Sequence, residues 1–162
     1  MKMSKKEKDT ILLSWGKYQK MAEYLALEIK KDFAPCIIVG IVRGGLILAV
    51  QLSHILGVRD VDWIVARRTK SDKIGDFGEN VEIIGSGALD IKGKNVLLVD
   101  DIGDTGATIN AALDILKKKK PKDIKVASLF LKHHCKAKVD YYCEKVKNNK
   151  WIIFPWENQI KK

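Results

Sequence analysis

V-L-L-V-D-D-I-G-D-T-G-A-T, from Val96 to Thr108, is the stretch whose reading decides the fold. Val96 to Val99 is a short apolar, largely β-branched run of the kind found in a parallel strand covered on both faces. Asp100 and Asp101 stand where that strand should emerge. Gly103 and Gly106 bracket Asp104 and Thr105, which lets the main chain turn tightly and approach a ligand closely. A helix beginning near Gly106 would offer its free N–H groups and positive dipole end to an anion, with the Thr105 and Thr108 hydroxyls beside them.

An ordinary strand-to-helix turn, in which Asp and Thr cap the helix and Gly makes the corner, accounts for one carboxylate and one hydroxyl. It leaves three Asp in five residues unexplained. Two of them end a buried strand, where repulsion and desolvation are costly unless a cation or a hydroxyl-rich ligand joins them. The loop is not a Walker A motif, which needs Lys after its second Gly, and it is not G-x-G-x-x-G. Its parts suit a sugar whose adjacent hydroxyls meet the paired carboxylates and whose 5′-phosphate enters the loop.

Outward from this motif, strands and helices alternate. Ser14 should cap a helix through about Lys31, because Trp15, Tyr18, Ala22, Leu25 and Ile29 recur at spacings of three and four, and all five are expected in the core. Cys36 to Ile41 reads as a strand, followed by Arg43-Gly44-Gly45 and a helix from about Leu46 to Leu56. Val61 to Ala66 is the next strand. A polar stretch with Gly75 and Gly78 then leads to a returning strand at Val81 to Ile84. After the central motif come a helix from Ala107 to about Lys117 and a strand from Ile124 to Leu131. The class is α/β with a doubly wound, mostly parallel sheet, whose ligands gather at the carboxyl ends of the strands. Trp151-Ile152-Ile153-Phe154-Pro155-Trp156-Glu157 is too hydrophobic for a disordered tail and should pack back on the domain.

The chain has 162 residues, of which 46% are hydrophobic, enough for one α/β domain and too few for two ordinary ones. No apolar run approaches a membrane span, and the Lys-rich segment Met1 to Lys8 lacks the apolar part of a signal peptide, so a cytoplasmic protein is expected. Cys36, Cys135 and Cys143 form no C-x-x-C pair and read as free thiols. The net charge of +10 raises a nucleic-acid partner. Its distribution weakens that reading: from Lys117 to Lys150, 12 Lys face 3 acidic residues, with little aromatic interleaving. Lys117 to Lys120 looks like a helix C-terminus, where cations favour the dipole. His133-His134-Cys135 is the nearest approach to a metal cluster, but neighbours on an extended chain face opposite ways, and surface or loop histidines are expected.

With Arg43-Gly44-Gly45, the Asp100–Thr108 loop and Lys132 at three strand ends, the chain resembles the type I phosphoribosyltransferases, most closely the small xanthine-guanine and hypoxanthine-guanine members. The resemblance runs from Ser14-Trp15 to the W-I-x-x-P-W-[DE] ending, with Lys132 preceding Trp151 by 19 positions as in the bacterial xanthine-guanine enzymes. It implies one phosphoribosyltransferase domain over 1–162, with 132–162 a base-recognition hood. It also implies a reaction: a 6-oxopurine and 5-phosphoribosyl 1-pyrophosphate give the nucleoside 5′-monophosphate and pyrophosphate, with Mg²⁺.

By the same resemblance, Asp100 and Asp101 engage the ribose hydroxyls, directly or through magnesium-bound water, with Asp101 the metal residue. Asp104 faces purine N7 as general acid or base. The backbone of Asp104, Thr105, Gly106, Ala107 and Thr108 cradles the 5′-phosphate, while Arg43 and the Gly44 N–H hold pyrophosphate beside a non-proline cis peptide at Val42–Arg43. Lys132 donates to the 6-oxo group, Trp151 stacks on the purine, and carbonyls near Trp151 and Ile152 read its 2-position. Ile153-Phe154 departs from the polar residues of the bacterial branch. The basic Arg67 to Gly78 segment has the composition either of a lid over pyrophosphate or of an exposed hairpin. Family members form dimers and tetramers, so a homo-oligomer is expected, with no membrane partner. Two other readings stand beside this one: a phosphoribosyl-pyrophosphate-sensing nucleic-acid-binding regulator on the same scaffold, and a phosphorylase-like or pyrimidine-directed transferase.

Overall fold

In the computed structural model, residues 10–69, 80–147 and 150–157 are described. The apolar runs become a six-stranded sheet. Its strands are β2 (Ile37–Val42), β3 (Asp60–Thr69), β4 (Asn80–Ser86), β5 (Asn95–Gly103), β6 (Asp123–Lys132) and β7 (Tyr141–Val146), in the order β4-β3-β2-β5-β6-β7. All neighbours are parallel except β3 and β4, the expected returning pair. A separate two-stranded parallel sheet joins β1 (Thr10–Leu12) to β8 (Trp151–Ile153).

The alternation of strand side chains explains why both faces are covered. From β2 and β5, Ile38, Leu97 and Val99 enter one core, together with Leu25 and Ile29 of α1 (Trp15–Lys30) and Leu48 and Leu52 of α2 (Gly44–Leu56). Ile37, Val39, Val96 and Leu98 enter the other, with Ile109, Ala112 and Leu116 of α3 (Ala107–Lys118). Two helices on one face and one on the other make the sheet doubly wound. From β2 the chain crosses through α2 to β3 on one side, and from β5 it crosses through α3 to β6 on the other. The direction reverses between β2 and β5, so their carboxyl ends frame a crevice at a topological switch point.

The helix starts follow local chemistry. Ser14 caps α1 by accepting a hydrogen bond from the Lys17 amide at 3.2 Å. Gly106, at φ +89°, turns the chain from β5 into α3, and Lys117 and Lys118 occupy the last turn of that helix. One expectation fails: Trp15 is 57% exposed, although Tyr18, Ala22, Leu25 and Ile29 are buried. It lies on the apolar stripe of α1, but at the first residue of the helix, where the stripe runs off the sheet. Its ring meets Tyr18 edge-on and Trp156 at a tilt.

The ending packs back as expected. Phe154 is buried, stacked on Trp156 with centroids 4.8 Å apart and set edge-on to Phe130. The departure at Ile153-Phe154 is therefore a core substitution at Phe154. Met1 to Lys8 and most of the Arg67 to Gly78 segment lie outside the described residues; Arg67 to Thr69 belong to β3. Among the described residues, no helix is long and apolar enough to cross a membrane, and Cys36, Cys135 and Cys143 are free thiols.

Candidate active site

The switch point is open. A cavity of about 600 Å³ lies over the carboxyl ends of β2 and β5, lined by Arg43 and Gly44 on one side and Asp100, Asp101, Asp104 and Thr108 on the other. Trp156 and Glu157 close it from the C-terminal segment. The Val42–Arg43 peptide is cis, as the family resemblance implies. Arg43 is exposed at the cavity rim. Gly44 packs directly on Asp101: a Cβ there would collide with the Asp101 carboxylate and force it to shift. The two loops therefore meet with no side chain between the Gly44 backbone and Asp101.

The two adjacent carboxylates are held differently. Asp100 Oδ1 accepts from the Asp101 amide at 3.0 Å. Asp101 is pushed up to about 6, first by burial and then by the negative charge of Glu157. A carboxylate raised in this way gains from a cation or a hydroxyl donor. From sequence Glu157 is only the acidic end of the packing segment and of the W-[DE] motif, with no place at the site. Its carboxylate accepts from the Phe154 amide at 2.9 Å, which tethers it toward the cavity.

Past the carboxylates, β5 stays paired with β6 as far as Gly103, opposite Leu131. Asp104 leaves that ladder and meets Lys132, whose Nζ lies 3.1 Å from Asp104 Oδ1. Lys132 is a buried cation, a costly placement without such a partner. His134 lies in the turn after β6, as expected of a loop histidine, and its Nε2 is 3.1 Å from the same oxygen, a contact the sequence does not reveal. The turn that carries it is fastened to the loop, with the Lys136 amide donating to the Thr105 carbonyl at 2.9 Å. Gly106 sits directly beneath this turn, where a Cβ would fall against the Ala137 backbone. Thr105 Oγ1 accepts from the Ala107 amide at 3.4 Å, which leads into the first turn of α3.

Of the residues singled out from sequence, the structure thus brings Arg43, Gly44, Asp100, Asp101, Asp104 and Thr108 around one cavity, with Thr105, Gly106 and Ala107 in the adjoining loop and Lys132 joined through Asp104. Trp151 and Ile152 are on β8 and are not part of this lining among the described residues. The Ile152 side chain is buried in the core, while Trp151 is 66% exposed. Among the described residues, no three carboxylate, imidazole or thiolate groups gather closely enough to hold a metal alone. The oxygen donors at Asp100 and Asp101 fit Mg²⁺ all the same, because that ion is usually held by one or two carboxylates together with substrate phosphates.

Comparison with known proteins gives a consistent result. Residues 10–161 match the model of the phosphoribosyl transferase domain. A hypoxanthine-guanine phosphoribosyltransferase of Aquifex aeolicus is 32% identical over 150 residues, covering 87% of this chain and 80% of that protein. The crystal structure of a purine phosphoribosyltransferase from Pyrococcus horikoshii superposes with a TM-score of 0.81 at 37% identity, covering 95% of this chain and 99% of that one. The xanthine-guanine-hypoxanthine phosphoribosyltransferase of Helicobacter pylori superposes with a TM-score of 0.76 at 28% identity, covering 91% and 94%.

Proposed function

We infer the reaction from one premise: the chain belongs to the phosphoribosyl transferase domain family. It is a purine-salvage enzyme, a pentosyltransferase that joins a 6-oxopurine (guanine, hypoxanthine or xanthine) to the ribose of 5-phosphoribosyl 1-pyrophosphate and releases pyrophosphate. The observation that carries this reading is the 3.1 Å pair of Lys132 and Asp104, because Asp104 lines the same cavity as Arg43, Gly44, Asp100 and Asp101.

Displacement of pyrophosphate from C1 passes through an oxocarbenium-like state, so positioned charge does the work and no covalent nucleophile is needed. Arg43 and the Gly44 N–H bind the pyrophosphate. Asp100 and Asp101 hold the ribose hydroxyls under the ring that becomes positive. The backbone from Asp104 to Thr108, with the Thr105 and Thr108 hydroxyls, holds the 5′-phosphate at the start of α3. Asp104 exchanges a proton with purine N7, a step worth on the order of 10²–10⁴-fold. Asp101 would hold Mg²⁺ together with the donor, and the ion would supply charge neutralisation for the pyrophosphate.

Lys132 donates to the 6-oxo group and so disfavours adenine, whose 6-amino group cannot accept that bond. Trp151 stacks on the base, and the main chain at Trp151 and Ile152 reads its 2-position. Residues 1–162 act as one domain, with 132–162 as the base-recognition hood; the packing of Phe154 and Trp156 against Phe130 and Tyr18 supports that division. Exposed Leu12, Trp15, Tyr24 and Leu27 support a homo-oligomer, dimer or tetramer. Salvage of a free base with a phosphorylated donor belongs in the cytoplasm.

A chromatographic assay with 5-phosphoribosyl 1-pyrophosphate, Mg²⁺ and a panel of guanine, hypoxanthine, xanthine, adenine, uracil and orotate tests the assignment. Nucleotide is expected from at least one 6-oxopurine, and Asp104→Asn is expected to remove most of the turnover while leaving donor binding nearly intact. Nucleotide from uracil or orotate alone would refute it. No transfer to any base, together with RNA binding that survives moderate salt, would favour the regulator instead.

A further inference from the structure

We propose that His134 is a positioning residue for Asp104, fixing the carboxylate while Lys132 turns to the purine; this rests on the reading of Asp104 as the proton-transfer group. Lys132 Nζ and His134 Nε2 each lie 3.1 Å from Asp104 Oδ1. A carboxylate oxygen only accepts, so His134 presents Nε2–H to it. The two donors differ in how firmly they are held. Lys132 reaches Asp104 along a flexible four-carbon stem, and the same ammonium is wanted by the 6-oxo group of the base. His134 is a rigid ring on a turn stitched at both ends. The His133 amide donates to the Val146 carbonyl at 3.2 Å, the Cys135 amide to the Lys132 carbonyl at 3.1 Å, and the Lys136 amide to the Thr105 carbonyl at 2.9 Å. The last of these ties the turn to the loop that starts at Asp104 itself.

The test is a double-mutant cycle on the full chain. His134→Leu is expected to lower kcat by about ten- to a hundredfold, the loss of one hydrogen bond to a charged group, with KM for the donor within about twofold. His134→Gln, which keeps an N–H near the place of Nε2, is expected to restore most of that loss. In an Asp104→Asn background, His134→Leu is expected to change the residual rate by less than about twofold, because the carboxylate it positions is gone. An equal loss in both backgrounds, a loss confined to KM, or no rescue by Gln would overturn the proposal. The imidazole ¹⁵N resonance of His134 separates this from failure of the transfer reaction. It is expected to move between wild type and Asp104→Asn even in a protein that turns over no purine, and an unmoved resonance refutes the contact.

Discussion

Gly106→Ala, paired with Gly57→Ala, separates backbone strain from collision in the phosphate loop. Both glycines have positive φ, +89° and +73°. Forcing Ala into that region costs about 1–2 kcal/mol, offset by about 0.4–1 kcal/mol because Ala also restricts the unfolded chain. Nothing lies within 4 Å of a Cβ on Gly57, so its cost ends there, at about 1 kcal/mol. A Cβ on Gly106 meets the Ala137 nitrogen, with Ala137 Cβ at 2.8 Å and Cα at 3.1 Å. These are backbone-anchored atoms that no rotamer change can move aside. The turn bearing His134 must be displaced, which adds about 1–3 kcal/mol of overpacking.

Thermal unfolding is therefore expected to show a fall in Tm of about 2–4 °C for Gly57→Ala and at least about twice that for Gly106→Ala. Steady-state kinetics should show an unchanged Gly57→Ala enzyme and a Gly106→Ala enzyme whose KM for the donor rises by about tenfold or more. If the two variants lose the same stability and Gly106→Ala keeps its donor KM, the turn does not brace the loop.

Trp151→Ala should raise KM for the purine by about five- to a hundredfold, the range for loss of base stacking. Because the ring is exposed, stability should change by less than about 0.5 kcal/mol; an unchanged purine KM would remove Trp151 from the base site. Asp101→Asn should stabilise the metal-free protein above pH 6. The folded state holds the Asp101 proton up to about pH 6 and the unfolded state releases it near 3.8, so stability is lost as pH rises through that window. The rise corresponds to roughly 3 kcal/mol, reduced to about 1–2 kcal/mol by the solvent that reaches this partly exposed group. Denaturant melts at pH 5 and pH 8 check this, and an equal difference between variant and wild type at both would contradict it.

Those residues also show what a linear reading can reach. The strands at Ile37, Val96 and Ile124 were legible because parallel strands covered on both faces need unbroken apolar runs, and no amphipathic alternative competes. The returning strand was legible from the polar, glycine-containing stretch that precedes a short apolar run. β1 and β8, three residues each, carry no periodicity to detect, and β7 hides its pattern among lysines; their pairing is a tertiary event. The donor loop was legible because its chemistry lies within thirteen consecutive residues. His134 was visible only as a surface or loop histidine. Its contact with Asp104 depends on a turn after β6 folding over the loop after β5, a proximity that spacing does not encode. Trp15 failed for the complementary reason, since periodicity names a helix face but not where the neighbouring layer stops.

The separate β1–β8 ladder has an evolutionary consequence. The strand proposed to read the base is hydrogen-bonded to the N-terminal strand, whereas the phosphate loop hangs from the six-stranded sheet. Substitutions at the exposed Trp151, unlike those at the core residue Ile152, can accumulate without disturbing the register that sets Asp100 beside Ser128 or Gly103 beside Leu131. Acceptor preference can thus diversify among descendants of this chain while the donor machinery is inherited unchanged.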